Sequence, residues 1–305
     1  MMKEFEGLIA APYTPFDQNG DLKLDVISKY IQLLLDQGVQ GVWVCGATGE
    51  GMSLTVEERK AVASAWVYEG KGRLKHIIIN VGTGNLRDTQ ELANHAAAIG
   101  ADAIGSTPTV YPRPVSIDNL VQYLSEVGRV VPDTPLLYYH APGATNVTFP
   151  MEEFLVAASE KIPSLVGIKY SSPDLFDFSR CLRYKNGKYQ MMWGADELLI
   201  GAYSVGARTA IGSTYNYMAP VYARMITAFK QGKMETARKE MDRSQALVKI
   251  LFKFGGDGVI RCKSVLSMLG VDVGPPRLPI MPLDDTELDA LRRDLGGIGF
   301  FQWHK

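Results

Sequence analysis

Short apolar runs alternate along the chain with longer stretches whose apolar residues recur every three or four positions. Residues 7–11 read as a first strand, closed by Pro12 and Pro15. Residues 25–37 carry helical spacing at Val26, Ile27, Tyr30, Ile31 and Leu34, and Gly38 ends them. A second strand over 41–45 runs into the loop Gly46-Ala47-Thr48-Gly49-Glu50-Gly51, and Thr55 with Glu58 forms a capping box for the next helix. Further strands are predicted over 76–81, 103–106, 136–140, 165–168, 189–193 and 209–212, with helices over about 85–99, from about Ile117, near Pro150 and after Ser172-Pro173-Asp174. Gly38, Gly100 and Gly206 each precede a small apolar residue, a polar residue and a strand. That is the turn from helix to parallel strand, where glycine takes the left-handed conformation. Eight strands, each followed by a helix, favour a closed (β/α)₈ barrel of the α/β class. An open doubly wound sheet is the alternative, but no G-x-G-x-x-G follows the first strand. No linker or low-complexity segment divides the 305 residues. One barrel domain over 1–305 is expected, with a C-terminal helical extension from about 218 and a last short helix near Asp285.

Composition narrows the classes of function. A formal net charge of −1 gives no sign of a nucleic-acid or membrane-surface partner. No apolar run approaches the ~18 residues of a membrane span. Residues 1–16 carry Glu4, Glu6 and the two prolines in place of a signal-peptide core. Cys45, Cys181 and Cys262 are far apart and odd in number, which points to reduced cytoplasmic thiols and away from a disulfide framework or zinc site. His76, His95, His140 and His304 lack ligand spacing, so no metal is indicated.

In a barrel, chemistry gathers at the carboxyl ends of the strands. Lys169 ends the apolar run 165–168. Desolvation lowers an ammonium pKa, and a neutral amine attacks a ketone to form a Schiff base. The plain alternative is a lysine that snorkels to water or pairs with a carboxylate. Other strand ends supply Thr48 with the glycine amides of its loop, Tyr139 with His140, Gly194 with Asp196 and Glu197, and Ser213 with Asn216. Each also has an ordinary structural reading: a tight turn, a core tyrosine, acids favoured by a helix dipole, a serine cap. Facing one pocket, they would suit a 2-keto acid. The imine would serve as electron sink, the phenol would relay protons, amides and a hydroxyl would hold the carboxylate, and the rest would grip a hydroxylated tail.

These motifs, in this order, resemble the dihydrodipicolinate synthase/N-acetylneuraminate lyase family of class I aldolases over essentially the whole chain. The lyase branch is the nearer one. The resemblance implies a (β/α)₈ barrel without metal or organic cofactor, usually a homotetramer, acting on a small sugar acid and pyruvate. Lys169 matches the Schiff-base lysine. Tyr139, heading Tyr139-His140-Ala141-Pro142, matches the catalytic tyrosine. Ala47 and Thr48 match the carboxylate-binding positions of a G-[ST]-T-G-E loop, with alanine where a hydroxyl residue is usual. Ser171, Gly194, Asp196, Glu197 and Ser213 match sugar-binding positions. The synthases carry an arginine five residues after the tyrosine, and here that residue is Ala144. Tyr111 is the candidate for a tyrosine that family members lend across a dimer interface. The implied reaction is reversible cleavage of N-acetylneuraminate to pyruvate and N-acetylmannosamine. Another 2-keto-3-deoxy sugar acid, a synthase-like condensation or a non-catalytic binding role are the alternatives.

Overall fold

The apolar runs become the staves of a barrel. The computed structural model describes residues 4–304; Lys305 and the first three residues of the segment read for a leader lie outside them. The strands are β1 (Gly7–Ala10), β2 (Gly41–Val44), β3 (His76–Asn80), β4 (Ala103–Ser106), β5 (Leu136–His140), β6 (Leu165–Tyr170), β7 (Gln190–Trp193) and β8 (Thr209–Gly212). Each is parallel to the next, and β8 pairs with β1 to close the ring. The expected (β/α)₈ barrel is the observed one.

Side chains alternate between the two faces of a strand, so the apolar residues divide into two sets. Ile9, Trp43, Ile78, Ala103, Leu137, Tyr139, Val166, Met192 and Ile211 fill the interior, joined by Phe5. Leu8, Val42, Ile77, Tyr138 and Ile168 are among those that pack outward against the helices. Trp43 occupies space on two strands: a Cβ on Gly105 of β4 would overlap its ring. The interior is thus a packed plug, and the open end above it is left for chemistry.

Local signals set the helices. Thr55 and Glu58 form the predicted capping box of helix Val56–Gly70. Asn85, Ser116 and Asp174 cap Leu86–Ala98, Ile117–Arg129 and Leu175–Arg183 through their side chains. Gly38, Gly100 and Gly206 take φ of 79°, 82° and 114° at the three predicted turns. Three elements differ from expectation. Pro142–Thr145 forms a single helical turn opened by its proline. The last helix is long, Asp285–Gly297, because Asp284 and Glu287 give it a capping box. Finally, β6 continues through Lys169 to Tyr170. Helix Tyr215–Lys230 follows β8, and Met234–Lys253 packs along it. Among the described residues no helix is long and apolar enough to cross a membrane.

Candidate active site

One residue in β6 is extra. Leu136 of β5 pairs with Leu165 and Leu137 with Gly167, which leaves Val166 bulged between them. Leu165 packs outward, and strict alternation would put Lys169 on that same outer face. The bulge resets the phase and turns Lys169 inward, level with Tyr139 of β5 and Met192 of β7. Gly167 makes the bulge possible, since a Cβ there would overlap the carbonyl of Gln190 in β7.

Lys169 is only 4 % exposed. Its Nζ lies 4.1 Å from the centre of the Tyr139 ring and 4.9 Å from that of Trp43. Those two rings meet edge to face at 5.6 Å. Among the described residues no carboxylate comes within ion-pair distance of the amine. Burial pushes it down to about 7, against a weaker upward pull from Asp196. Burial also raises the Tyr139 phenol, and the nearby Ser171 hydroxyl offsets part of that. Gly194 is glycine because a Cβ would overlap Ser171 Oγ.

Across the barrel, the loop after β2 starts at Cys45 (φ 56°) and ends at Glu50 (φ 53°), both left-handed without being glycine. Such conformations persist where the surroundings over-determine them. Asn80 Nδ2 donates to Cys45 O (3.0 Å). The wholly buried Glu50 carboxylate accepts from Lys263 Nζ (2.9 Å) and Arg277 N (2.8 Å). Between these anchors the amides of Gly46, Ala47, Thr48 and Gly49 donate to no acceptor among the described residues. A run of free amides is an anion cradle. Thr48 is buried beside it, whereas Ala47 is exposed.

The third wall carries the acids. Asp196 Oδ2 accepts from Thr214 N (2.8 Å) and Thr214 Oγ1 (2.7 Å), and Thr214 Oγ1 in turn meets Tyr222 Oη at 2.7 Å. Among the described residues neither Asp196 Oδ1 nor the nearby Tyr215 hydroxyl has a partner within hydrogen-bond geometry. Desolvation raises this carboxyl to about 6. Gly212 gives it room, since a Cβ there would overlap it. A cavity of about 340 Å³ lies among Ser171, Gly194, Asp196, Glu197, Ser213, Val248, Phe252 and Val259.

The model of the dihydrodipicolinate synthetase family matches residues 4–297. The chain belongs to that family. It is 38 % identical to the N-acetylneuraminate lyase of Danio rerio, over 96 % of each chain. The solved N-acetylneuraminate lyase of Proteus mirabilis is 37 % identical and superposes with a TM-score of 0.94, covering 98 % of this chain and all of that one. A sialic acid aldolase of Ruminococcus gnavus, solved as a catalytic lysine mutant, is 27 % identical with a TM-score of 0.90, over 96 % of this chain and 95 % of that one.

In this family member Ser171, Gly194, Asp196, Glu197 and Ser213 line one cavity, and Lys169 packs on Tyr139, but His140 and Asn216 do not join them. Next to inward Tyr139, His140 must face outward; its ring packs against Tyr138 and Tyr170, and burial pushes it down to about 4. Asn216 is fully buried and committed: its Nδ2 donates to Ala11 O and Ser213 O, and its Oδ1 accepts from Tyr30 Oη. Tyr111 stands on the outside, 96 % exposed, beside exposed Val110 and Val115. Among the described residues no cluster of His, Cys, Asp or Glu could hold a metal. Trp43 and Asn80, both inside the barrel ends, were not singled out from sequence. Asn80 closes an apolar run just as Lys169 does, so the same criterion would have found it.

Proposed function

We propose that this protein is an N-acetylneuraminate lyase, a class I aldolase that cleaves N-acetylneuraminate reversibly to pyruvate and N-acetylmannosamine. The observation that carries the reading is the Lys169 amine: buried, without a carboxylate partner among the described residues, and pushed down to about 7. The similarity to lyases along nearly the whole chain supports the choice of substrate.

Lys169 Nζ adds to the C2 ketone of the open-chain sugar acid, and water leaves to give a protonated imine. The C4 hydroxyl loses its proton, the C3–C4 bond breaks, and its electrons pass into the imine. N-acetylmannosamine departs as the aldehyde. The enamine takes a proton at C3, and hydrolysis returns pyruvate and the free amine. Tyr139, whose ring lies against Nζ, relays the C4 proton; a positive imine beside it favours the phenolate. Thr48 and the free amides at 46–49, Ala47 contributing only its amide, take the carboxylate. Ser171, Gly194, Asp196, Glu197 and Ser213 line the cavity that receives the sugar tail. Ala144 offers no charge for a second carboxylate, which favours the lyase over a synthase.

The protein works as a cytoplasmic homotetramer in this reading, with the exposed apolar surface at Val110, Tyr111 and Val115 supporting contact between copies. Incubation with N-acetylneuraminate is expected to release pyruvate. Borohydride with pyruvate is expected to label the peptide holding Lys169. Pyruvate release without that label, or a label on another lysine, would overturn the mechanism.

A further inference from the structure

Arg59, on helix Val56–Gly70, is 3 % exposed and spends its guanidinium on carbonyls. One terminal nitrogen donates to Gly82 O (2.6 Å) and the other to Asn80 O (2.5 Å). Its Nε is buried without a partner, and it forms no ion pair among the described residues. Two other buried charges are answered by ion pairs, Lys263 by Glu50 and Glu240 by Arg224 and Arg243, while Asp196 takes two hydrogen bonds from Thr214. Lys169 can escape by losing its proton, but a guanidinium stays charged. A cation buried without an anion is costly, and that cost falls when an anion arrives close by.

The place where an anion would arrive is the next layer. Asn80, whose carbonyl takes the guanidinium, donates its side-chain amide to Cys45 O, and Cys45 Sγ lies 4.0 Å from Arg59 O. Cys45 is the left-handed residue that opens the loop of free amides at 46–49. The cation therefore lies beside Cys45 and Asn80, the two residues that anchor the start of the loop, in an interior where screening is weak.

We propose that Arg59 is a positioning residue and the fixed positive charge that the substrate's carboxylate completes, acting through Asn80 and the 45–49 loop without touching the substrate. The inference rests on the reading that this loop takes a carboxylate. It accounts for a charge that the fold leaves unanswered, and it makes affinity for the anionic end depend on a residue outside the pocket.

Pyruvate and hydroxyacetone present the same ketone with and without a carboxylate. Imine formation with each is read as the concentration giving half-maximal inactivation by borohydride, in protein first shown folded by circular dichroism. In Arg59→Gln the preference for pyruvate over hydroxyacetone is expected to fall about tenfold. Arg59→Lys, which keeps the charge, is expected to retain most of the preference. This second variant carries the test should Arg59→Gln not fold. Equal loss for both ketones in Arg59→Gln would make Arg59 a structural support and overturn the proposal. So would a preference lost in folded Arg59→Lys. Failure of the wild type to trap pyruvate at Lys169 would instead sink the aldolase reading itself.

Discussion

Among the described residues two lysines are almost wholly buried, and they have opposite surroundings. Lys263, 1 % exposed, donates to Glu50 Oε1 (2.9 Å), Thr14 O (2.9 Å) and Pro275 O (3.2 Å), and lies over the Phe16 ring. Lys169, 4 % exposed, has aromatic faces on two sides and no hydrogen-bond acceptor among the described residues. Burial pulls both amines toward neutrality, but at Lys263 the Glu50 carboxylate pulls back. Burial by itself therefore does not make a lysine reactive. What matters is whether the fold supplies acceptors that keep the proton on. Lys263 is an ionic rivet tying the C-terminal segment to the loop after β2. Lys169 is an amine kept without such acceptors.

The largest effect that separates them is on turnover. Lys169→Met is expected to abolish N-acetylneuraminate cleavage and borohydride trapping, since in the proposed mechanism its amine forms the imine. The same change is expected to stabilise the protein. An amine at about 7 when folded and at its ordinary 10.5 when unfolded destabilises fully below pH 7, and progressively less as pH rises toward 10.5. The gain in melting temperature for Lys169→Met should thus be largest near pH 6–7 and fade by pH 10. A variant that loses stability at pH 7 would mean that the lysine is a structural contact.

Lys263→Met inverts the outcome. It leaves Glu50 buried without its cation, a loss of about 3–5 kcal/mol for a broken buried pair. Denaturant unfolding should register that loss, while the folded fraction still traps pyruvate at Lys169. Glu50→Gln added to Lys263→Met should recover part of the stability, because the orphaned charge goes with it. If Lys263→Met abolished trapping in folded protein, the two lysines would not be as separate as their contacts make them.

Sequence alone carried the barrel far. The glycines at 38, 100 and 206 and the caps at Thr55, Asn85 and Asp174 are local devices, and local devices are written in local sequence. The strand-end residues Lys169, Tyr139, Thr48, Asp196 and Ser213 can be picked out as candidates for the same reason. What stayed hidden depends on phase and on distant partners. Strands apolar on both faces do not declare which face looks inward, so His140 was grouped with Tyr139, and the bulge that turns Lys169 inward had no signature beyond Gly167. Lys263 and Glu50 are more than two hundred residues apart, and Arg59 shows its isolation only once the carbonyls around it are in place.

The smallest effect is the most direct measure of the difference between the two lysines. The rate of imine formation follows the fraction of neutral amine. With Lys169 pushed down to about 7, that fraction rises about tenfold between pH 6 and pH 8 and then levels. An amine at its ordinary value of about 10.5 would go on gaining about tenfold per unit past pH 9. Asp196, raised to about 6, loses its proton within the same window and adds a negative charge whose pull on Lys169 is upward, so the inflection can only move to higher pH through this pair. Asp196→Asn removes that pull and is expected to shift the inflection for pyruvate trapping downward by a fraction of a unit, leaving the plateau in place. A profile that keeps climbing to pH 10 in the wild type would mean that Lys169 has found an anionic partner after all. An inflection that stays where it was in Asp196→Asn would mean that the carboxyl is protonated while the amine titrates, and that desolvation alone sets the amine.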